Sequence, residues 1–481
     1  MKTDSTSLLQ DPAARLLSMI VELTHAPVSG PERQAAMQTI GDTLGVMLAG
    51  ACDPRARDLL ATLVTTTTHG PDTHPPATTG LARLPGGRIW AAPTDVALLL
   101  GFAAHVLDYD DDETEVAMAH LSAPCLPAAL ALSGGAASGA DLIDAYVSGC
   151  QVMLAVGSAV NPALYKAGWH ATSVLGAFGA TAAAARLARL NVWVTAQAFG
   201  LAASFAGGPR GAFGGEGKPM QVAQAAASGV RAVQLAARGW TAAPGAIAGD
   251  RGVLTRMAGA ISPALSLPEA FPPAGFVTKP YPSCTATHAA VAEIIALMAR
   301  SGGRQAADLQ SIACAVDPFV PQILIPGLPG SPDAGRFSLG YCLAHAALHG
   351  DLTPQAFAPQ AFCADAPSHG AVRALMGRIV IGADETLPKG PSGISTGAVL
   401  CLRWPDGFTL SGRRAAGPGS RTAPLSDTEL LRKFTACLAP MCSAQQAQSV
   451  WHAVAMLASS PSAGAFIDAL PPVFTDQGQD R

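Results

Sequence analysis

Apolar residues recur at three- and four-residue spacing through the first half of the chain, the period of a helix with one buried face. The stretch DPAARLLSMIVELTH carries the pattern, with Pro12 where a helix can begin, and PERQAAMQTIGDTLGVMLAG repeats it between Pro31 and Gly50. The same spacing predicts Ala-rich helices near residues 93–106, 123–136, 140–160, 171–189, 193–206 and 219–238. Strand-like alternation is scarce up to about residue 265, so an all-helical first domain is expected.

Three prolines in residues 266–276 mark a crossing, after which the pattern changes. SIACAVDP, GRIVIGAD and GAVLCLRWPDGFTLSGRR read as short strands, the last a hairpin whose turn holds Pro405 and Gly407. Helical spacing persists at 285–300 and 338–349. A capping box, Ser426 with Glu429, then returns the chain to helix. The expected fold is mainly α: a large all-helical domain from residues 1–268 and 416–481, with a smaller α+β lid domain, residues 269–415, inserted between its halves.

Composition narrows the class. With 481 residues, 49% of them hydrophobic and only 13% charged, the chain can bury more than one core. A net charge of −4 and no basic stripe argue against a nucleic-acid partner. The first residues lack a signal-peptide pattern, and the long uncharged run at 145–165 holds enough polar residues to read as a buried helix and not a membrane span. Ten cysteines without a CxxC pair disfavour structural zinc and suit reduced thiols in a cytoplasmic protein.

Against this sparse charge, LDYDDDETE places six carboxylates between Asp108 and Glu115, bracketed by His105 and His120. As a calcium loop it fails, because Glu113 stands where glycine is needed and Ala119 where the final glutamate belongs. As a magnesium–diphosphate motif of an isoprenoid enzyme, DDETE has DDxxE spacing, but no second Asp-rich motif accompanies it. It also reads as a solvated helix end, or as an acid that orients histidines, with Asp110 to Glu115 a solvated rim. Elsewhere His170 precedes a helix of small residues, where the dipole attracts anions and lowers a histidine pKa. The loop GGPRGAFGGEGKPM offers Arg210 and Lys218 around glycines but is not a P-loop, since Pro219 replaces Ser/Thr. Lys279, Cys284 and His288 follow in TKPYPSCTATHAA, and Arg336 and Tyr341 in RFSLGYCLAHAALHG. Carboxylates, histidines, lysines and a tyrosine without a metal or nucleotide motif suit acid–base chemistry on a small anion.

The pieces AAHVLDYDD, HLSAPCLPAALAL, GWHATSVLGAFGATAAAARL, FGGEGKPMQVAQAA, KPYPSCTATHAA, FSLGYCLAHAALHGDL and LSDTELLRKF follow one another in an order that resembles the MmgE/PrpD family. That family includes 2-methylcitrate dehydratase, cis-aconitate decarboxylase and iminodisuccinate epimerase. The resemblance implies a helical domain with an α+β lid, a homodimer, and a cofactor-independent site for a small carboxylate between the two domains. By motif it implies catalytic roles for Asp108, His120, His170 and Tyr341, and substrate contacts for Lys218 and Lys279. Arg210 and His288 join the substrate-binding candidates on the residue reading, no metal ligand is assigned, and dehydration is the expected reaction. Decarboxylation, epimerisation and a non-catalytic carboxylate-binding relative are the alternatives. Three departures bear on the substrate: a longer acidic insert before His120 together with Leu121 where proline is usual; Met220, Gln221, Val222 and Ala223 where the family commonly has Leu-His-Ala-Gly; and the absence of the usual histidine after the Asp-Asp pair.

Overall fold

The computed structural model describes residues 11–63, 66–68, 80–87, 89–134, 136–265, 270–363 and 367–474. The expected domain boundary at 268/269 and the reading of the first ten residues lie outside the described residues. The protein is mainly helical. Its longer helices are α1 (Pro12–His25), α2 (Gly30–Gly50), α3 (Pro93–His105), α4 (Ser122–Leu132), α5 (Gly139–Val160), α6 (Ala171–Leu187), α7 (Val192–Ala202), α8 (Gly217–Ala236), α9 (His288–Ala299), α10 (Leu339–His349), α11 (Asp427–Leu438) and α12 (Ala444–Ala455).

Most helix starts are written in the sequence. Asp11 caps α1 and Asn191 caps α7, while Ser29, Ser138, Ser426 and Ser443 close capping boxes at α2, α5, α11 and α12. The interior is set by small residues. Helix α8 packs against α3 and α6, and α5 against α6. A Cβ at Gly229 of α8 would lie 2.5 Å from the Ala180 carbonyl carbon of α6, so only glycine permits that approach. Helix α5 is long and apolar enough to cross a bilayer, yet 89% of its most apolar window is buried inside the protein.

The first part of the chain is not purely helical. Strand β1 (Thr66–Thr68) pairs antiparallel with β3 (Ile89–Ala91), as does β2 (Ala82–Arg83). Strand β4 (Asp112–Glu113) pairs with β5 (Phe276–Val277). Strands of two or three residues are too short to show a period of two, which is why the sequence reading passed over them.

Hydrophobic side chains form two separate cores. One gathers residues from Leu16 to Phe276 and again from Phe434 to Phe474; the other gathers residues from Ala289 to Trp404. The second core lies against a sheet of order β7–β6–β8–β9, made by β6 (Ser311–Val316), β7 (Ile379–Ala383), β8 (Ala398–Arg403) and β9 (Thr409–Arg414). Strands β6 and β7 run parallel and the other pairs antiparallel. Inward positions of β8 alternate with exposed ones, and α9 packs on β8 and β9. The β8–β9 hairpin turns through Gly407 at φ +85°.

Candidate active site

Helix α3 ends at His105, and the acidic run beyond it is irregular apart from β4. Asp108 adopts φ +48° and Met118 φ +50°, left-handed conformations that cost a residue with a side chain about 1–3 kcal/mol. Four buried side chains hold this shape by its carbonyls. Arg336 Nε donates to Leu107 O (2.8 Å), Lys279 Nζ to Asp108 O (3.1 Å), Lys433 Nζ to Tyr109 O (2.9 Å) and His120 Nδ1 to Asp111 O (2.6 Å). The register Asp112↔Val277 brings the start of the second core's segment beside the loop and sets Lys279 next to Asp108.

The acids are not a solvated rim. Asp108, Asp110, Asp111 and Glu113 are buried, and Asp112 and Glu115 half-buried. Asp111 accepts the backbone N–H groups of Leu121 (3.1 Å) and Ser122 (3.3 Å) and the Thr43 hydroxyl (3.2 Å), so it caps α4, whose N-cap Leu121 has no capping side chain. Glu113 accepts from the backbone of Glu115, Val116 and Ala117. The DDxxE reading loses its geometry: Asp111, Asp112 and Glu115 do not share a helix, so they are not stacked one turn apart.

Three imidazoles meet above this loop, with ring centroids 4.5 Å apart for His105 and His120 and 5.9 Å for His105 and His170. Their Nδ1 partners fix their tautomers. His120 Nδ1 faces a carbonyl, which can only accept, and lies 3.2 Å from Asp110 Oδ2. His105 Nδ1–H donates to Asp110 Oδ2 (2.8 Å), and His105 Nε2 takes a hydrogen bond from Lys218 Nζ (2.7 Å). His170 Nδ1 lies 2.8 Å from Gln221 Oε1, whose amide nitrogen donates to Pro209 O, so this histidine too carries its proton on Nδ1. Its Nε2 is buried without a hydrogen-bond partner, as is Asp108 Oδ2.

Charge follows from burial and neighbours. Burial and the Lys218 ammonium push His170 well below the usual histidine range, and burial lowers His105 to about 4 although Asp110 favours its charged form. Burial alone would raise Asp108, but Lys218 (2.7 Å) and Lys279 (3.4 Å) hold it well below the carboxylate range. Burial works against Asp110 in the same way, and His105 and His120 overcome it. Burial lifts Asp111 to about 6 and Glu113 to about 7.

Asp108, His120, His170, Lys218 and Lys279 line one cavity together with Thr172, Cys284 and Thr285. His120, His170, Lys218 and Thr285 stand at or beside the first turns of α4, α6, α8 and the short helical turn before α9; the N-cap residues of α6 and α8 supply no side-chain cap, whereas Asp111 caps α4. Three predicted site residues lie elsewhere. The Tyr341 hydroxyl donates to Ala356 O (2.5 Å) inside the second core, between Phe357 and Phe362. A tyrosine one helical turn past Ser338 packs inward because α10 turns its apolar face to that core. His288 is buried with Nε2 on Ser283 O (3.1 Å). Arg210 stacks 4.5 Å over Tyr165 and is not part of the cavity wall. Conversely, His105, Asp110 and Gln221 were not chosen from sequence. The helical spacing of His105 to the Asp108 loop was the available signal, whereas the place of Gln221 beside His170 depends on α8 packing on α6.

His105, Asp110 and His120 present nitrogen and oxygen atoms within 4.8 Å of one another, the grouping best able to hold a metal among the described residues. The Nδ1 atoms that face Asp110 are engaged as hydrogen-bond donors, so a cation there would have to displace their protons.

The MmgE/PrpD N-terminal domain model matches residues 14–265, and the MmgE/PrpD C-terminal domain model residues 281–458. The chain belongs to the MmgE/PrpD family. Curated relatives include cis-aconitate decarboxylase of Homo sapiens, 32% identical over 155 residues, and that of Mus musculus, 33% identical over 154. Each alignment spans 31% of this chain and 31% of the relative. Gln221, where the resemblance leads to the expectation of an imidazole, supplies the acceptor that fixes His170.

Proposed function

We propose that this MmgE/PrpD protein is a cofactor-independent lyase that dehydrates a small di- or tricarboxylate. The observation that carries the reading is the unpartnered, buried Nε2 of His170 beside a lysine pair in one cavity with His120. Dehydration takes a proton from the carbon next to a carboxylate and expels hydroxide from the adjacent carbon. His170, kept neutral, receives the carbon-bound proton on Nε2. Charge then accumulates on the substrate carboxylate, where Lys218 and Lys279 stabilise it. His120, held at Nδ1 beside Asp110, gives a proton from Nε2 to the departing hydroxyl, so water leaves and the double bond forms. The first turns of α6 and α8, whose N-cap residues supply no capping side chain, add partial positive charge for the carboxylates. Tyr341, turned into the second core, has no part in this reading.

The second core acts as a lid in this proposal, since Lys279, Phe337 and Ile394 reach the cavity from its segment of the chain. Decarboxylation is the second reading, supported by the names of the curated relatives. Incubation with a panel of hydroxy di- and tricarboxylates, with and without EDTA, tests both. Unsaturated product without CO2 supports dehydration; CO2 release from an unsaturated acid moves the assignment to decarboxylation. Activity lost to EDTA and restored by magnesium would overturn the cofactor-independent reading.

A further inference from the structure

The cavity wall is two-sided in chemistry. Beside the polar group described above, it is lined by Met118, Phe213, Val320, Ile323, Phe337 and Ile394. These side chains come from five separate stretches of chain, so the apolar surface is assembled by the fold and is not one helix face turned inward. It is continuous with the proposed base: His170 packs edge-on against Phe213 (5.0 Å between centroids), and Phe213 against Phe337 (5.3 Å). Gly214 lets the loop carrying Phe213 close onto the segment of Ile323, because a Cβ there would lie 2.0 Å from Ile325 Cδ1.

The charges on the wall point the same way. Its two ammonium groups, Lys218 and Lys279, lie 2.7 and 3.4 Å from the Asp108 carboxylate, and no arginine is among the residues that line it. The wall offers two lysines, Lys218 and Lys279, and a third carboxylate would lose its water against hydrocarbon.

Resting on the lyase reading, we propose that the substrate is a hydroxydicarboxylate bearing an apolar substituent of about three carbons or more, and not a tricarboxylate. The reacting carbons and both carboxylates lie against His120, His170, Lys218 and Lys279, and the substituent lies against Phe213, Phe337, Ile323 and Ile394. Removal of the carbon-bound proton and the hydroxyl yields the alkyl-substituted unsaturated dicarboxylate and water.

The test compares malate, 3-methylmalate, 3-isopropylmalate and 3-isobutylmalate with citrate and 2-methylcitrate on the full chain. The expected result is a kcat/KM that rises about three- to fourfold for each buried methylene, with the tricarboxylates below the branched dicarboxylates. In Ile394→Ala that rise should flatten, while an unchanged melting temperature shows that the variant is folded. A tricarboxylate that outperforms every alkyl dicarboxylate overturns the proposal, and loss of that preference in Arg210→Gln would identify its third anchor. Calorimetric binding separates the two claims if no acid is turned over. Tighter binding of isobutylmalate than of citrate keeps the apolar-substituent inference and removes the lyase reading; the reverse order, or no binding of any acid, removes the inference.

Discussion

His170 and Lys218 sit in the same cavity but are built into the protein differently, and their substitution should separate accordingly. His170 makes one side-chain hydrogen bond, to Gln221, and leaves Nε2 free. Replacement by Gln should lower kcat by about two to four orders of magnitude, the usual worth of a positioned proton acceptor, with little change in melting temperature. A variant that melts early and keeps normal kcat would make His170 a packing residue. Lys218 binds Asp108 and His105 at 2.7 Å each and is buried. Lys218→Ala should therefore lose both activity and stability, because it leaves the Asp108 carboxylate with Lys279 as its remaining ammonium partner. Breaking a buried pair from one side costs about 3–5 kcal/mol. Urea denaturation beside a competition assay with a charged inhibitor reads both effects; unchanged stability would contradict the pairing described here.

The acidic loop is the element on which the site depends, and most of what holds it comes from far along the chain. Lys433 of α11 reaches both Asp42 (2.7 Å) and the Tyr109 carbonyl (2.9 Å). Lys433→Met keeps the volume of the stem but leaves Asp42 buried alone and frees one loop carbonyl. We expect a loss of about 3 kcal/mol and a fall in kcat, although the residue is not in the cavity wall. Normal kcat at normal stability would show that the loop holds its shape without this brace. At this scale the sequence was readable where signals are local. Helix starts at Pro12 and Ser426 and the hairpin turn at Gly407 follow from neighbouring residues, while Asp108, His120, His170, Lys218 and Lys279, which line one cavity, were picked out by the motifs of the family resemblance. Long-range partnership was not readable. Nothing near Asp111 in sequence shows that it caps α4 while Glu113 gathers three backbone amides, so a run of acids looked solvated. Tyr341 looked catalytic by motif, yet the inward face of α10 decides where its hydroxyl goes.

Across the molecule, buried neutral histidines should couple stability to pH. His288 is buried at the start of α9, and burial together with Lys279 lowers it to about 3. Unfolding returns it to about 6.5, so between pH 6.5 and 3 the unfolded chain binds a proton that the folded protein refuses. Stability from this residue is complete above pH 6.5 and is lost as the pH falls, at up to about 1.4 kcal/mol per pH unit. His288→Gln should thus show a smaller drop in melting temperature from pH 7 to pH 5 than the parent protein; an equal drop would mean that His288 becomes protonated without cost in the fold. Residues from the segments of both cores line one cavity, whose groups are proposed to move a proton at carbon. The most direct measurement is NMR in D2O of accepted or bound carboxylates, including the alkyl-substituted dicarboxylates, with parent protein and His170→Gln in the presence of EDTA. The account predicts loss of the proton on the carbon next to the carboxylate, by exchange or by water elimination, with the parent protein and a large fall with the variant. Retention of that proton by the parent protein while the acids are bound, or equal rates in both proteins, would contradict it.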